Sequence, residues 1–228
     1  MQEIQLFEFL KSKPVSPQIG IRETLFGDMP LAQLVAASSK ALSVEPWVSF
    51  ERGNELIDSG DTQNAIEIFR RIVQTPDFES RHYLQAWYFL RGLGVNAPKE
   101  REKDLLGIVV EVGMPKGLDM VAAYPDYHAR YYNFSGAGII WDRPNSTVDA
   151  AIDDLLRIGR TVVQSIGLWK ESRPPAPASG NARINLLTPS GLHFGEGPLD
   201  VLSKDRLGGA VIASAFRLMQ ELIKVTRK

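Results

Sequence analysis

The segment from residue 118 to residue 143 constrains the fold more than any other part of this sequence. It is rich in aromatic residues, which favour strands. Two turn-forming stretches, residues 124–128 and 133–136, interrupt it, and the first contains Pro125 and Asp126, which suit a tight turn. The segment is therefore predicted to form three short antiparallel strands connected as a meander.

The two turns predict which side chains share a face of this meander. We expect Tyr124 to pair with His128, and we expect the second turn to set Tyr132 opposite Ala137. Because strand side chains alternate with period two, one face is then large, aromatic and partly cationic. The residues predicted on this aromatic face are Leu118, Met120, Ala122, Tyr124, His128, Arg130, Tyr132, Ala137, Ile139 and Trp141.

The opposite face is predicted to carry smaller side chains, and we expect helices to pack against it. Its predicted residues are Asp119, Val121, Ala123, Ala129, Tyr131, Gly138, Ile140 and Asp142. The aromatic face has two interpretations. Either the N-terminal part of the chain or a second copy covers it, since large apolar patches are seldom left bare, or it is a platform on which ligand rings or nucleic-acid bases stack.

The aromatic face and its turn contain our candidate site for a ligand or a partner. Among these residues, His128 is the one plausible proton-transfer group near neutral pH. We assign no catalytic residue, because no nucleophile elbow, phosphate-binding loop or metalloprotease motif occurs in the sequence. The candidate site residues are Tyr124, Asp126, His128, Arg130, Tyr132 and Trp141.

No metal site or cofactor is predicted. The sequence has no cysteine, so disulfides, thiolate catalysis and cysteine-bound metals are excluded. No two of the three histidines, His82, His128 and His193, are separated by a metal-ligand spacing such as i, i+2 or i, i+4, so a histidine metal site could only be assembled by the fold. The glycine-rich stretch 191–198 is expected to be a structural turn rather than an anion site. A second hypothesis places the carboxylates of Glu111, Asp119 and Asp142 together on one sheet face.

Charge and hydropathy narrow the possible partners. A net charge of −1 gives no overall attraction to nucleic acid or to anionic membranes, so nucleic-acid binding is not favoured. No apolar run reaches the roughly 18 residues that a membrane-spanning helix needs. The first 14 residues lack the basic and apolar regions of a signal peptide. We therefore expect a cytoplasmic protein.

The N-terminal half has helical periodicity. Helices are predicted over residues 2–12, 31–42, 46–59, 62–74 and 83–93, and residues 14–30 are expected to be irregular, with a short helical turn at 21–26. The two helices between residues 46 and 74 carry an ordered series of small and large residues, and a proline follows the second helix. The residues of this series are Gly53, Leu56, Gly60, Ala65 and Phe69, and the proline is Pro76.

This arrangement resembles the tetratricopeptide repeat over about residues 46–79. In that pattern, small residues such as Gly53 and Ala65 let two antiparallel helices approach, and Phe69 fills the groove between them. The resemblance implies binding of a peptide or of another partner. The next 34 residues do not repeat the pattern, so we expect a helical bundle with one such hairpin rather than a solenoid.

The charged run at residues 99–104 marks the expected domain boundary, after which the apolar period changes from 3.6 to 2. We predict a helical region at 1–98 and an α+β domain at 104–228. In the second domain, strands are expected at 106–112, in the meander and in a hairpin at 183–194. A loop is expected at 113–117 and an exposed, mobile linker at 170–182. Helices should start at Ser146 and after Ser203.

The predicted architecture is thus an antiparallel sheet in the order β-β-β-β-α-β-β-α, with both long helices on one face. The functional hypothesis that fits best is a non-catalytic scaffold or interaction protein with a protein partner or as a homodimer. The alternative is a protein, and possibly an enzyme, that binds a small molecule or a nucleotide through the aromatic face. Binding of single-stranded nucleic acid is the weakest of the three.

Overall fold

The computed structural model describes residues 17–37 and 44–226. The chain divides into two compact units, Met1–Lys99 and Glu100–Lys228. The helix predicted over residues 2–12 and the end of the helix predicted over 31–42 lie outside the described residues. The described part contains eight helices and one six-stranded antiparallel sheet, so the predicted α+β class is confirmed.

The described part of the first unit consists of helices. They are α1 (Pro17–Phe26), α2 (Leu31–Ala37), α3 (Trp47–Asp58), α4 (Thr62–Gln74) and α5 (Ser80–Gly92). The short helical turn expected at 21–26 is part of α1, whereas the expectation of irregular structure was wrong for residues 17–20. Burial of Leu25 and Phe26 stabilises this helix, and Gly27 ends it with a positive φ of 61°.

Helices α3 and α4 form the predicted antiparallel hairpin. Gly53 allows the close approach, since a β-carbon there would lie 2.5 Å from the ring of Phe69. The Asp61 side chain caps α4 by accepting a hydrogen bond from the Asn64 amide at 3.3 Å. Phe50, Phe69 and Phe89 of α3, α4 and α5 are buried and meet with centroid separations of 5.2–6.4 Å. The aromatic rings therefore join three helices in one core.

The second unit is built on the sheet. Its elements, in chain order, are β1 (Gly107–Met114), β2 (Gly117–Ala123), β3 (Ala129–Tyr132), β4 (Gly138–Trp141), α6 (Ser146–Ser165), β5 (Asn181–Thr188), β6 (Gly191–Pro198), α7 (Leu199–Leu202) and α8 (Gly208–Thr226). The strand order is β4-β3-β2-β1-β5-β6. All neighbouring strands are antiparallel.

Two predicted loops belong largely to strands. Residues 113–117 were expected to form a hairpin loop, but Met114 pairs with Gly117, so the turn is only two residues long. The stretch 191–198 was expected to be a glycine-rich turn apart from a return strand at 192–194, but all of it is strand β6, which pairs with all of β5. The ladder uses backbone N–H and C=O groups, which glycine provides as any other residue does. The high glycine content of residues 191–198 therefore does not prevent them from forming a strand.

Helices α6 and α8 cover one face of the sheet, as predicted. Gly159 lets α6 approach β1, because a β-carbon at this position would lie 2.3 Å from the side chain of Ile108. Strand and helix side chains form one buried cluster. It includes Ile108, Val110, Val121, Ala123, Ala129, Ile184, Leu186, Ile152, Leu155, Val163, Val211, Leu218 and Leu222.

Helix α6 starts at Ser146, as expected, whereas α8 starts later than expected. Asn145 caps α6 by accepting hydrogen bonds from the amides of Thr147 at 3.0 Å and Val148 at 3.2 Å. Helix α8 does not start directly after Ser203: α7 ends at Leu202, a turn spans residues 203–207, and α8 starts at Gly208. Asp205 caps it by accepting from the amide of Gly208 at 2.6 Å. Hydrogen bonds from Gly208 and Leu207 lower the pKa of the Asp205 carboxyl.

Candidate interaction site

The first hairpin of the meander has the predicted register. The amide of Tyr124 donates to the carbonyl of His128 at 3.0 Å. Ala122 then lies opposite Arg130, and Met120 lies opposite Tyr132. Tyr124, Arg130 and Tyr132 therefore belong to the sheet face that the two long helices leave uncovered.

The second hairpin has a register that is one residue away from the prediction. Asn133, rather than Tyr132, pairs with Ala137 through a hydrogen bond of 2.9 Å. The Asn133 side chain closes this turn by accepting from the amide of Ser135 at 3.0 Å. As a result, Tyr132 lies opposite Gly138 and Trp141 lies opposite Ala129.

This shift moves Trp141 to the other face of the sheet. Trp141 is 4 % exposed and belongs to the buried cluster under the helices. The guanidinium of Arg143 lies 5.2 Å from its ring centroid. Ile139 moves to the helix face as well, whereas Ile140 and Gly138 lie on the face with Arg130 and Tyr132. The expectation that Trp141 shares a face with Arg130 was wrong, because a one-residue slip exchanges the two faces.

Two more candidate residues are buried in the sheet. Tyr124 has no exposed surface, and its ring lies against β1, where a β-carbon at Gly107 would be 2.9 Å away. Arg130 is buried, and its Nη1 donates to the carbonyl of Ala129 at 2.9 Å and to that of Trp141 at 2.7 Å. The arginine therefore connects the start of β3 to the end of β4.

Asp126 and His128 interact within the first turn. Asp126 Oδ1 accepts from the His128 amide at 3.0 Å, and Asp126 Oδ2 lies 3.2 Å from His128 Nδ1. Between them, Tyr127 has a positive φ of 61° and its hydroxyl donates to Asp153 Oδ2 of α6 at 3.3 Å. The negative charge of Asp153 raises the pKa of Tyr127. Hydrogen bonds within the turn and one from Tyr127 to α6 therefore fix its conformation.

A buried polar network crosses three strands on the same sheet face. Arg183 lies opposite both Glu111 and Glu196 in the ladders. Its Nε and Nη2 donate to Glu196 Oε2 at 2.8 and 2.5 Å, and its Nη1 lies 3.6 Å from Glu111 Oε2. Asn185 Nδ2 donates to Glu111 Oε2 at 3.2 Å and to the carbonyl of Val109 at 2.9 Å.

Sequence reasoning missed this network. The hypothesis that Glu111, Asp119 and Asp142 converge was wrong, because Asp119 lies opposite Val112 and therefore on the helix face. Its Oδ1 accepts from the amide of Phe134 at 2.7 Å. The sequence does contain one sign of the network, because each of two apolar strands includes a charged residue, Glu111 in β1 and Arg183 in β5. The β1–β5 register that joins them is decided only in the folded sheet.

The segment predicted as an exposed, mobile linker packs on the sheet over part of its length. Arg183 Nη1 donates to the carbonyl of Pro175 at 2.7 Å. Pro177 is buried, and a β-carbon at Gly113 would lie 2.2 Å from the carbonyl oxygen of Ala178. These contacts hold residues 174–178 over the strands β1 and β5.

The two edges of the sheet differ. At the β6 edge, the Trp169 amide donates to the carbonyl of Leu192 at 2.8 Å, and the Trp169 ring contacts Phe194 edge-to-face at 5.1 Å. At the other edge, β4 pairs with β3 alone among the described residues. Ile140 of β4 is 56 % exposed, and Phe134 in the preceding turn is 45 % exposed. The β4 edge is therefore open to solvent and apolar.

Within the described ranges, no group of three or more histidine, cysteine, aspartate or glutamate side chains could hold a metal ion. No helix of the described part is both long and apolar enough to span a membrane. Comparisons of the chain with protein-family models, with curated proteins and with solved structures find no match.

Proposed function

We propose that this protein is a non-catalytic interaction protein that binds a protein partner through the outer edge of β4 and the turn before it. The observation that carries this proposal is the open β4 edge, with Ile140 and Phe134 exposed beside it. An unpaired strand edge offers N–H and C=O groups to an incoming strand. Addition of a strand to such an edge is a common mode of recognition between proteins.

The surrounding contacts support the same proposal. Arg130 and Asp126 make hydrogen bonds that fix the ends of the meander strands. These contacts hold β3 and β4 in a defined geometry behind the exposed edge. A preorganised edge loses less conformational entropy on binding than a mobile one does. The meander is therefore suited to present a strand to a partner.

A pull-down of the tagged chain from native lysate, with nuclease added, tests this proposal. We expect a stoichiometric protein to be retained by the wild-type chain and reduced at least about tenfold by Ile140→Asp, because a charge on the edge opposes strand addition. Val201→Asp on α7 is the matched control, since Val201 is 60 % exposed and lies outside the meander. Equal retention by both variants, or a chain that is monomeric and retains no protein, would contradict the proposal.

One observation favours a second candidate function, the binding of a small molecule or a nucleotide. Asn185 is fully buried, and its Oδ1 has no hydrogen-bond partner among the described residues. A buried acceptor of this kind is costly unless a donor reaches it. A ligand N–H or O–H beside Glu111 and Arg183 would provide that donor.

Melting curves in the presence of a metabolite panel test this second function. A ligand that uses Asn185 should raise Tm for the wild-type chain and not for Asn185→Leu. The variant Asn54→Leu serves as the control, because Asn54 is only partly buried and lies in α3 of the other unit. If no compound raises Tm of the wild-type chain, the second candidate is rejected.

A further inference from the structure

We infer that the partner of the β4 edge is a second copy of this chain, which pairs β4 with β4 antiparallel across a two-fold axis. This inference rests on the proposed interaction role of the same edge and names its partner. It would join two six-stranded sheets into one continuous sheet of twelve strands. Four observations carry it: the direction of the backbone groups, the partly occupied β6 edge, the side-chain fit and the charges.

The direction of the backbone groups follows from the ladder. In antiparallel pairs, successive residues alternate between pairs that exchange two hydrogen bonds and pairs that exchange none. Asn133 and Ala137 form a bonded pair, so Ile139 and Trp141 also direct their N–H and C=O groups towards β3. Gly138 and Ile140 consequently direct theirs outwards, away from the sheet. β4 contains no charge and no proline that would block pairing.

The β6 edge is less suited than the β4 edge to joining two copies. Trp169 donates to the outward carbonyl of Leu192, its ring lies against Phe194, and Pro198 at the end of the strand has no N–H to donate. An open head-to-tail array of β4 on β6 is therefore disfavoured. Pairing of β4 with β4 uses the same surface twice and closes after two copies.

The side chains favour one register for this pair. When Ile139 of both copies lies on the two-fold axis, Gly138 of one copy lies opposite Ile140 of the other. Only this register pairs the two outward-facing residues of the strand with each other. The Tyr132 ring already covers Gly138, where a β-carbon would lie 2.4 Å from it. Ile140 of the second copy would therefore pack against the Tyr132 ring and lose its exposure.

The charges at the edge are compatible with this register. The chain from residue 133 to residue 141 carries no charged side chain, and Asp142 and Arg143 follow β4 directly. The two-fold axis sets Asp142 opposite Gly136 of the second copy and Arg143 opposite Ser135. No like charges meet across the pair, so electrostatic repulsion does not oppose it.

Ile140→Pro is the sharpest variant for this inference. Proline removes the outward N–H of Ile140 and is tolerated on an edge strand whose N–H faces solvent. Because the two-fold axis repeats the hydrogen bond donated by Ile140, the variant dimer would lose two hydrogen bonds. We expect sedimentation equilibrium of the full chain to show a wild-type dimer, and dissociation that is at least about tenfold easier for Ile140→Pro. Ile140→Thr retains the N–H and the branched shape and should still dimerise.

A cysteine on the axis tests the register. The chain has no cysteine of its own, so Ile139→Cys introduces a unique thiol. Residues facing each other in a non-hydrogen-bonded pair have Cα atoms about 4.5 Å apart, which is within the range of a disulfide. Mild oxidation should link two copies of Ile139→Cys and leave Val201→Cys, on exposed α7, unlinked.

The outcomes separate this inference from the proposed function. A wild-type monomer that captures another protein through Ile140 would overturn the two-fold pair and leave the interaction role standing. A monomer that captures nothing would overturn both. If Ile140→Pro still forms the dimer, another surface joins the copies and the β4 pairing is overturned. The same holds if Ile139→Cys remains a dimer but oxidation does not link its two copies.

Discussion

Individual buried polar residues in the second unit are held by specific partners. His193 is buried; its Nδ1 lies 3.1 Å from the carbonyl oxygen of Ile166 at the end of α6, and its Nε2 lies 3.3 Å from Ser190 Oγ. The Ser190 hydroxyl in turn donates to the carbonyl of Glu102 at 2.6 Å. One imidazole thus connects the β5–β6 turn to the end of a helix.

The pKa of His193 predicts how stability depends on pH. Burial lowers this pKa, and the Lys103 charge acts in the same direction, although hydrogen bonds to Ile166 and Gly167 and the charge of Glu102 oppose it. The unfolded chain takes up a proton near pH 6.5, whereas the folded chain resists it. The free energy of unfolding should therefore fall as pH decreases below about 6.5, until the folded pKa is reached.

Urea unfolding between pH 8 and pH 5 measures this effect. His193→Asn keeps a donor near the position of Nδ1 and has no titratable ring, so its stability should fall less over the same range. The comparison cancels the contributions of other titrating groups that the two proteins share. Parallel pH profiles for the two proteins would show that His193 does not contribute.

Arg183 shows the cost of removing one member of a buried ion pair. Arg183→Met removes the cation that pairs with the buried carboxylate of Glu111 and with Glu196, and we expect a loss of about 3–5 kcal/mol in the free energy of unfolding. Arg217→Met is the control, because Arg217 pairs with Asp154 at 2.8 Å on the surface. That loss should be about 0–1 kcal/mol. Similar losses for the two variants would contradict this prediction.

At the scale of elements, glycines decide which helices and strands can approach. In the α3–α4 hairpin, Gly53 lies so close to the Phe69 ring that an added β-carbon would overlap with it. At Gly20 of α1, by contrast, an added β-carbon would meet no neighbouring atom within 4 Å. The same residue type therefore has a packing role at one position and none at the other.

Alanine substitutions at these two glycines should have opposite effects. Gly53→Ala forces the Phe69 ring to move and should lower stability by about 1–3 kcal/mol. Gly20→Ala removes flexibility from an exposed helix position and should be neutral or raise stability by up to about 1 kcal/mol. Thermal unfolding followed by circular dichroism distinguishes the two. A neutral Gly53→Ala would show that the two helices of the hairpin lie farther apart.

The register of β4 predicts a second contrast between neighbours. Trp141→Ala should cost about 3–5 kcal/mol, because this side chain belongs to the buried cluster. Ile140→Ala should cost far less in a monomer, since Ile140 is exposed. Urea unfolding at low protein concentration makes the comparison. The reverse order would mean that the strand presents its other face to the helices.

At the scale of the whole molecule, the second unit has a hydrophobic core of its own. Its buried cluster is drawn from the sheet, α6 and α8, all within Glu100–Lys228. We expect a fragment of residues 100–228 to fold cooperatively without the first unit. A single urea transition that coincides for tryptophan fluorescence and circular dichroism would support this, and a broad transition without a native baseline would contradict it.

The sequence by itself determined the element types, because they depend on local periodicity. Apolar residues at helical spacing predicted α3, α4, α5, α6 and most of α8, and the period of two predicted β1 to β5 and part of β6. Pro125 and Asp126 were sufficient to fix the first hairpin register, since a short turn leaves few ways to pair its strands. Gly53 and Phe69 identified a helical hairpin by size alone.

Only the tertiary structure decided the second hairpin register, the faces and the buried network. The side chain of Asn133 could close its turn at more than one residue, and one step moved Trp141 from the predicted binding face into the core. Glu111, Arg183 and Glu196 are up to 85 positions apart in the chain, and the pairing of β1, β5 and β6 makes them neighbours. Local pattern fixes which elements form, whereas long-range pairing fixes which residues meet.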